Sequence, residues 1–501
     1  MDNTSSINVL FPSLPCGLHE FAASCLVLVQ PTFLVLCLLV SLFVVKAKGK
    51  SRKKPILPPG PTPWPIIGNI PEILSKKNKP TYRWINGFMK ELNTDIACIR
   101  LANTHVISVT SPEIAREFLK KHDAVFASRP VTMATEYSSR GFLTIAVVPW
   151  GDQWKKMRKV MASEIMTAAR PRSLLYKRTE EVDNLVRFIY NQCKSNSGSS
   201  AVINLRLAAR QCTGNVIRKM LFNRRYFGEG RKDGGPGYEE VEYIESVFTV
   251  LRHIYNPWIW KIDKRVKEWK DGKRKEPEDL LDAFILAKDS EGKPALSVEE
   301  IKAQCTEMMF ATLDNPSNAA EWAMAEMINQ PEILQKATEE IERVVGNQRW
   351  GSIRIHPISP FNLPHVSNAD AIVSGYFIPK GSHVLLSRLG LGRNPKVWDE
   401  PLGFKPERHL KDGCIEEVDL TETELRFISF STGRRGCMGV ALGSAMTVMV
   451  LARLIQGFSW RVPSNEANID LSVSENDLFM AKPLHAMGKP RLPGEQLYPP
   501  Y

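Results

Sequence analysis

Residues 430–439 read Phe430-Ser-Thr-Gly433-Arg-Arg435-Gly-Cys437-Met-Gly439, which places a single cysteine in a glycine-bounded loop just after two arginines. The glycines let the backbone turn tightly, so that amide N–H groups can point at the sulfur and hold it as a thiolate. A thiolate that donates electron density to haem iron favours O–O cleavage, which a monooxygenase needs. The loop therefore predicts Cys437 as a haem ligand, with Arg435 at a haem propionate. A buried structural cysteine is the alternative interpretation.

Bulk composition limits the other classes of protein. The chain has 501 residues, of which 43% are apolar and 24% charged, and this is enough to bury a large core. Its nine cysteines lie far apart with no CxxC pair, which argues against a disulfide framework or a zinc site. None of the nine histidines forms an HExxH motif.

Residues 21–45 carry no charge and are long enough to form a membrane-spanning helix, in which Pro31 would introduce a kink. Six of the next nine residues are basic, so the positive-inside rule places the following chain in the cytosol. We therefore expect a short lumenal N-terminus over 1–20 and an uncleaved signal anchor over 21–45. A cleavable signal peptide is the alternative, but its flanking charge would lie on the other side.

The net charge of +12 divides into −2 for residues 1–45, +6 for 46–54 and +8 for the remainder. The mild basicity of the main domain does not indicate nucleic-acid binding, but it suits an acidic protein partner or an anionic membrane surface. After the basic collar, Leu57-Pro-Pro-Gly-Pro61 predicts a stiff, extended spacer. We expect collar and hinge to cover 46–63 and the main domain to cover 64–501.

Downstream, the apolar periodicity is mostly helical, as in 112–121 and 180–193, with short strands at 96–101 and 105–109. Polar, glycine-rich loops are expected at 195–200 and 228–237. The second loop has a GxG but lacks the third glycine and a preceding strand, so it is a poor dinucleotide fingerprint. Electrons from NADPH would therefore have to come through a separate reductase.

Three further stretches accompany the cysteine loop. Trp154 and Arg158 are four residues apart, hence on one helical face, and could reach one propionate together. Phe404-Lys-Pro-Glu-Arg408-His409 precedes the loop at the spacing of a meander that would fix it. Each of these alone is also compatible with an ordinary surface helix or a solvated turn.

The third stretch is Asp314-Asn315-Pro316-Ser-Asn318, inside a helical run over 297–329. A proline there removes one backbone hydrogen bond and is expected to open the helix, leaving Asp314 and Asn315 beside a groove. We expect dioxygen and its protons to be handled at this groove.

Together these motifs resemble the microsomal cytochromes P-450, and more narrowly the plant amino-acid N-monooxygenases that make aldoximes. The resemblance runs from the proline hinge to the C-terminus and rests most on Asn362-Leu-Pro-His365, on His409 and on Asp314-Asn315, where most relatives have an acid followed by threonine. It implies a mainly α fold with small β-sheets, a cytochrome P-450 fold behind an N-terminal transmembrane anchor. It also implies haem b and an endoplasmic-reticulum location.

By the same resemblance, His365 would bind a propionate where relatives have an arginine, and Phe430, Gly433 and Gly439 would surround the haem. Asp314 and Asn315 would carry protons to bound dioxygen, since an amide can donate and accept hydrogen bonds. The reaction would be two N-hydroxylations of an amino acid, followed by loss of carboxylate and water. Phenylalanine is the first expectation, with branched-chain amino acids, tyrosine and tryptophan as alternatives.

The segments that would line the substrate pocket are also taken from the resemblance, and each is equally compatible with plain packing. They are 137–148, 311–315, 360–362 and Leu478-Phe479. The substrate carboxylate needs a cation or several donors, and the side chain needs an apolar wall.

Two departures from the family mark this chain. The Glu-x-x-Arg pair should precede His356, but the span reads Gly351-Ser-Ile-Arg354, so the arginine is present and the glutamate is not. Seven residues separate Gly346 from Arg354, where relatives have a loop and most of a helix. With Arg354 and Arg408 retained as structural residues, a buried charge lacks its partner, at a typical cost of roughly 3–5 kcal/mol.

A second shortening is expected between Leu251 and Trp269, in a region that relatives extend through a loop and a long helix. Two clean internal losses are typical of skipped exon sequence, so we hypothesise a mis-spliced transcript or a misassigned gene structure. Three interpretations follow: an active aldoxime-forming monooxygenase, a haem-thiolate C-hydroxylase of another substrate, or a membrane-anchored chain that cannot hold haem. Sequencing the transcript across both junctions tests the hypothesis of an erroneous gene structure.

Overall fold

The computed structural model describes residues 56–75, 80–167, 169–195, 200–223, 259–343, 349–409, 424–474 and 478–492, with a few isolated positions. The signal anchor predicted over 21–45 lies outside the described residues except for three positions. The basic collar, most of both glycine-rich loops and the first part of the shortened segment after Leu251 also lie outside them. Residues 57–501 form one compact unit, separate from residues 1–56.

Helices dominate the described part of the chain, as the periodicity predicts. They are α1 (Ile70–Ser75), α2 (Thr81–Glu91), α3 (Pro112–Arg116), α4 (Met133–Ser138), α5 (Asp152–Val160), α6 (Ala169–Ser173), α7 (Leu175–Ser195), α8 (Leu205–Phe222), α9 (Ile259–Lys270), α10 (Leu280–Leu286), α11 (Val298–Asn329), α12 (Pro331–Arg343), α13 (Arg349–Ile355), α14 (Arg388–Gly392) and α15 (Val440–Gly457). One π-helical turn, Glu117–Lys121, continues α3, and another, Met161–Ile165, continues α5. The helices predicted over 112–121 and 180–193 are thus confirmed.

Short strands form three small sheets. The strands are β1 (Ile96–Leu101), β2 (Thr104–Val109), β3 (Ala201–Asn204), β4 (His365–Val366), β5 (Ala371–Val373), β6 (Tyr376–Ile378), β7 (His383–Leu386), β8 (Phe458–Arg461) and β9 (His485–Pro490). Their orders are β1-β2-β7-β4, β3-β9-β8 and β5-β6. The two predicted strands, 96–101 and 105–109, pair antiparallel as β1 and β2, with Ile96 opposite Val109.

The proline hinge is held by packing as well as by its own stiffness. Cys98 in β1 donates its backbone N–H to the carbonyl of Pro59 at 2.8 Å. A Cβ on Gly60 would lie 1.8 Å from the Cys98 carbonyl oxygen, so glycine is required for this close approach. The segment that we expected to act as a spacer is therefore docked on the first sheet.

The central helix α11 begins with a capping box. Ser297 Oγ accepts from the Glu300 N–H at 3.2 Å, and the Glu300 carboxylate accepts from the Ser297 N–H at 2.7 Å. The helix packs chiefly against α8 and α15, and most of its residues are buried. It continues through Pro316 without a break, so the expected opening of the helix is wrong. Proline lacks the backbone N–H donor, and the loss of this one hydrogen bond is tolerated in a helix that tertiary packing surrounds.

Within the described ranges, α15 is the one helix long and apolar enough to cross a membrane, with a mean hydropathy of 1.5. Half of it is buried inside the molecule, and it packs against α11 and α7. Its apolar character is therefore that of a core helix. This helix directly follows the cysteine loop, which it ties to the centre of the fold.

Candidate functional site

The loop that carries Cys437 is closed by its own backbone. The Cys437 N–H donates to the carbonyl of Phe430 at 2.8 Å, and Gly433–Arg435 form a 3₁₀ turn between them. Of the five described cysteines, all unpaired, only Cys437 is exposed, whereas the other four are buried thiols. A ligand of haem iron must be reachable, and this cysteine alone among the five meets that condition.

Opposing effects act on the Cys437 thiol. Although the residue is exposed, the protein atoms packed around the sulfur keep much of the water away from it, and this desolvation raises the pKa of the thiol. A hydrogen bond from the Gly439 amide and the charges of Arg158 and Arg388 lower the pKa. The Gly439 amide is the kind of contact that the sequence predicted to stabilise a thiolate. It comes from the residue that caps the N-terminus of α15.

Gly433 fixes the loop against the π-helical turn after α3. Its φ is +71°, and a Cβ there would lie 2.5 Å from the Leu119 carbonyl oxygen. Asp123 accepts from the Arg434 backbone N–H at 3.2 Å and pairs with its Nε at 3.1 Å. Phe430 packs beside the buried pair Trp398 and Phe427. The predicted residues of the loop are therefore brought together.

Arg435 points away from solvent, into a ring of carbonyl groups. Its Nε donates to Ala127 O at 2.5 Å, and its terminal nitrogens donate to Val148 O at 2.7 Å and Ile145 O at 3.3 Å. Burial and the charges of Arg129 and Arg158 lower its pKa to about 9. Arg435 is thus held rigidly as a buried cation.

Trp154 and Arg158 lie together on α5, as their spacing predicts. The Trp154 ring lies 5.6 Å from the Arg158 guanidinium and 4.7 Å from that of Arg435. Arg158 also donates to the Gly436 carbonyl at 2.8 Å, directly before Cys437. The helix and the cysteine loop therefore form one site.

Arg129 is a member of this site that the sequence did not reveal. It is 6% exposed, and it donates to the carbonyls of Ala146 at 3.0 Å, Leu363 at 2.8 Å and Pro364 at 2.9 Å. Burial lowers its pKa to about 10. Its hydrogen-bond partners are up to 235 residues away in sequence, so no local pattern predicts the contacts. The one available signal is that Arg129 is an isolated basic residue in a mostly apolar stretch.

His365 is buried beside these arginines at the start of β4. Its Nδ1 lies 2.7 Å from the Phe126 carbonyl, and its Nε2 is buried without a hydrogen-bond partner. Burial and the charges of Arg129 and Arg435 lower its pKa to about 3, so the ring is neutral. With Nδ1–H donating to a carbonyl, Nε2 can donate to a propionate only if the ring takes up a second proton.

These residues fit the acidic edge of a haem. Among the described residues, none of the three arginines at 129, 158 and 435 forms an ion pair with a carboxylate. Buried cations without counter-charges are costly, and two propionates would supply the missing negative charge. One orphaned nitrogen, His365 Nε2, lies in the same cluster.

On α11, two predicted catalytic residues occupy different environments. Asn315 is exposed, and its Nδ2 donates to the Ala311 carbonyl at 2.9 Å, one turn earlier. Asp314 is half-buried and lies 3.6 Å from an Arg210 nitrogen of α8. The Arg210 guanidinium lies 5.5 Å from the ring centre of Phe479, a predicted pocket residue.

Glu307, also on α11, ties the predicted pocket loop to the helix. Its carboxylate accepts from the backbone N–H groups of Ile145 at 3.0 Å and Ala146 at 2.9 Å. Burial raises its pKa, and these hydrogen bonds act in the opposite direction. Because carbonyls of the same loop bind Arg435 and Arg129, Glu307 supports the cation cluster indirectly.

Other predicted pocket segments are largely used for packing. Asn362 Oδ1 accepts from the Leu386 N–H at 2.8 Å, which fixes it to β7. Leu478 is buried, and its carbonyl accepts from Trp322 Nε1 at 3.1 Å. Tyr137 is 64% exposed on α4.

The predicted structural arginines lie next to the meander. Arg354 of α13 is 1% exposed and donates to the carbonyls of Gly392 at 2.6 Å, Pro401 at 2.8 Å and Gly403 at 3.1 Å. Arg408 donates to the Asp399 carbonyl at 2.8 Å. Within the described ranges, neither forms an ion pair with a carboxylate.

Comparison with known proteins identifies the family. The sequence model of the family Cytochrome P450 matches residues 58–259 and 245–487. The phenylalanine N-monooxygenase of Arabidopsis thaliana is 56% identical, over 91% of this chain and 97% of its own. Valine N-monooxygenase 1 of Manihot esculenta is 50% identical over 90% and 91%, and the tyrosine N-monooxygenase of Sorghum bicolor is 49% identical over 89% and 88%.

The comparisons also bear on the two predicted losses. The alignment with the Arabidopsis protein has 517 positions, but 91% of 501 residues is about 456, so about 61 positions have no residue in this chain. The two matches to the family model overlap over residues 245–259, a range that includes part of the segment between Leu251 and Trp269 where we predicted a loss. Within the aligned region, the chain is therefore shorter than this relative.

Proposed function

Because the chain belongs to the cytochrome P450 family, we propose that it is a haem-thiolate monooxygenase that converts an L-amino acid to its aldoxime. The observation that carries this proposal is the 56% identity to a phenylalanine N-monooxygenase across 91% of the chain. Phenylalanine is accordingly the first substrate to test. Two N-hydroxylations, each consuming one dioxygen and one NADPH, would be followed by loss of carbon dioxide and water.

Cys437 is the proposed ligand of the iron in haem b. Haem, when bound, supplies the activation of dioxygen. In this proposal Gly439 donates its amide to the sulfur, Gly433 holds the turn, and Phe430 packs beside the loop. Arg435, with the other cations of the cluster, neutralises the propionates.

Trp154 supports the two guanidiniums of Arg158 and Arg435 through its ring, and Arg158 links α5 to the cysteine loop. His365 is proposed to join a propionate only as the doubly protonated ring. Haem binding at this residue would then take up one proton, because the neutral ring already uses its single N–H at Phe126.

Asp314 and Asn315 are the proposed proton-handling pair. Asn315 is exposed on α11, and its Nδ2 donates to the Ala311 carbonyl. Its side-chain oxygen, Oδ1, would accept a hydrogen bond. Asp314 is oriented by Arg210, whose terminal nitrogen lies 3.6 Å from its carboxylate. Proton transfer would therefore run between a fixed carboxylate and a neighbouring amide or water.

The location and partners belong to the same proposal. We place an anchor helix over 21–45 in the endoplasmic-reticulum membrane, with the catalytic domain over 64–501 in the cytosol. NADPH-cytochrome reductase would supply the electrons. The basic collar at 46–54 suits an anionic cytosolic membrane surface.

The test is expression of the full chain in microsomes with reductase. A red-shifted Soret band in the reduced, CO-bound difference spectrum, followed by NADPH-dependent phenylacetaldoxime formation from phenylalanine, is the expected result. A Soret band with a hydroxylated phenylalanine ring or side chain as product would instead favour a C-hydroxylase. Valine, isoleucine, tyrosine and tryptophan serve as competing substrates.

A second candidate is a membrane-anchored chain that holds no haem. The specific observation in its favour is Arg354, buried without a carboxylate among the described residues, together with the roughly 61 aligned positions that the chain lacks. No CO-dependent band, with full-length chain present on an immunoblot, would select this candidate. Absence of the chain itself would require a stabilised variant before the spectrum is interpreted.

A further inference from the structure

A cleft of about 670 Å³ opens between α2, the chain just before β1 and the turn that follows α14. Its volume lies within the range of small-molecule sites, roughly 300–1,000 Å³. Of the residues that border it, Leu478 alone belongs to the segments expected to line the substrate pocket, and none belongs to the cation cluster around Arg435. The cleft is therefore a second cavity, which the proposed reaction does not use.

One face of α2 forms a wall of the cleft. Tyr82 and Met89 are seven residues apart, which is about two helical turns, and both are buried at the base of this wall. Arg83 and Lys90 have the same spacing one residue later, and both are exposed at its edge. The wall is thus apolar at its base and cationic where it meets solvent.

Gly87 lies between these residues on α2 and leaves part of the cleft open. A Cβ at this position would have no atom within 4 Å, and the backbone of Gly87 is not left-handed. Neither sterics nor φ therefore requires glycine here, although glycine inside a helix is less stable than alanine. What the missing side chain provides is space inside the cleft.

The opposite wall is fixed by hydrogen bonds. Arg393, just after α14, donates from two nitrogens to the Ile355 carbonyl at 3.0 and 2.7 Å. Asn394 donates to the Thr110 carbonyl at 3.1 Å. Buried Leu478 adds an apolar surface. The cleft is therefore preformed, and a ligand would not have to order this wall.

The charge of the cleft is positive. Among the described residues that line it, Asp95 is the one acidic residue, and its Oδ2 already lies 2.9 Å from Lys396 Nζ. Arg83 donates from Nε to the Tyr82 hydroxyl at 3.1 Å. Within the described ranges, neither Arg83 nor Lys90 forms an ion pair with a carboxylate. These two exposed cations are the ones that a ligand anion would meet.

We propose that this cleft binds an aromatic monocarboxylate, with its ring at the buried base and its carboxylate at Arg83 and Lys90. The Tyr82 ring and the Met89 sulfur both make favourable contacts with aromatic rings. The planar guanidinium of Arg83 matches the two oxygens of a carboxylate, and Lys90 adds a point charge. The site is independent of the proposed catalytic reaction.

The experiment is equilibrium dialysis of radiolabelled cinnamate against the detergent-solubilised full chain, with the same micelles on both sides of the membrane. Excess L-phenylalanine is present throughout, so that the proposed substrate pocket is occupied. We expect saturable binding of about one cinnamate per chain, which weakens as salt is added. Cinnamyl alcohol, which has the same ring without the charge, should bind about tenfold more weakly.

Substitutions on α2 locate the site. Gly87→Leu fills the open space and should abolish cinnamate binding, whereas Gly87→Ala is the matched control, because it adds one methyl group to the same helix and should retain binding. A double variant, Arg83→Gln with Lys90→Gln, should weaken cinnamate binding about tenfold and leave cinnamyl alcohol unaffected. Far-UV circular dichroism checks that each variant is folded.

The proposal is overturned if the parent chain shows no saturable binding, or if folded Gly87→Leu binds cinnamate as the parent does. It is also overturned if cinnamyl alcohol binds as tightly as cinnamate, or if L-phenylalanine displaces cinnamate, which would place the ligand in the substrate pocket. If Gly87→Leu does not fold, the double variant decides, because both of its positions are exposed. Dialysis requires neither haem nor turnover, so its result is separate from the test of the proposed function.

Discussion

Two alanine substitutions close together in sequence should have opposite effects on stability. Gly433→Ala introduces a side chain at a φ of +71°, with its Cβ 2.5 Å from the Leu119 carbonyl oxygen and 3.0 Å from Asp123 Oδ1. Gly443→Ala adds the same methyl group inside α15, where the nearest atom is Cε1 of Phe430 at 3.8 Å. The first site is strained and closed, and the second is helical and roomy.

The magnitudes follow from these geometries. A non-glycine residue in the left-handed region costs roughly 1–2 kcal/mol. The contact with a backbone oxygen cannot be relieved by a rotamer change, and such overpacking costs roughly 1–3 kcal/mol more. Replacing glycine by alanine inside a helix gains about 0.5–1 kcal/mol. We expect Gly433→Ala to lose about 2–5 kcal/mol and Gly443→Ala to gain up to about 1 kcal/mol.

The assay is urea unfolding of the full chain, followed by tryptophan fluorescence, together with haem content per chain from the CO difference spectrum. Gly433→Ala should lower the urea midpoint and lose haem, because the hydrogen bond from Cys437 to Phe430 closes the same loop. Gly443→Ala should keep haem at the parent level. A Gly433→Ala protein with the parent midpoint, or two variants that shift in the same direction, would refute the reasoning.

Three further predictions concern the cation cluster. Arg435→Leu leaves the carbonyls around it without their donor, at about 1–3 kcal/mol each, and should lose most of the haem, measured as CO-dependent absorbance per chain. Glu307→Ala leaves two backbone N–H groups unsatisfied and should lower the free energy of unfolding by about 1–3 kcal/mol for each, which a lower urea midpoint would show. Gln304→Ala, which removes only one hydrogen bond of 3.2 Å to Glu307, is the control. His365 has a folded-state pKa near 3 against 6.5 unfolded, so the haem-free chain should lose stability as the pH falls from 6.5 towards 3, by about 1.4 kcal/mol per pH unit. The His365→Gln variant should lose about 2 kcal/mol less than the parent between pH 6.5 and 5.0, and equal pH profiles would contradict this assignment.

Local pattern was sufficient for much of the fold. The strands predicted at 96–101 and 105–109 are confirmed, and the long helix at 298–329 carries a recognisable capping box. Trp154 and Arg158 are close because residues four apart share a helical face. Pro316 shows where local reasoning failed, since packing on α8 and α15 keeps the helix continuous across it.

The site residues that the sequence did not reveal all depend on long-range contacts. Arg129 donates to carbonyls more than 230 residues away, and Glu307 accepts from backbone N–H groups about 160 residues away. Arg210 on α8 lies 3.6 Å from Asp314 on α11. No periodicity or spacing rule connects such positions. Single charged residues in apolar surroundings were the only available signal, and that signal does not identify a partner.

Two clusters of arginines that form no ion pair within the described ranges distinguish the active interpretation from the inactive one. Among the described residues, the arginines around Arg435 form no ion pair with a carboxylate, and in our proposal a dianionic cofactor would bring the negative charge with it. The pair Arg354 and Arg408 has no such cofactor, and the nearest helical position that could supply an acid is Gly351. If the second cluster alone prevents haem incorporation, Gly351→Glu should restore the CO-dependent band while Gly351→Gln should not. If neither variant shows a band although both fold, the roughly 61 missing positions, rather than one missing charge, account for the loss of haem.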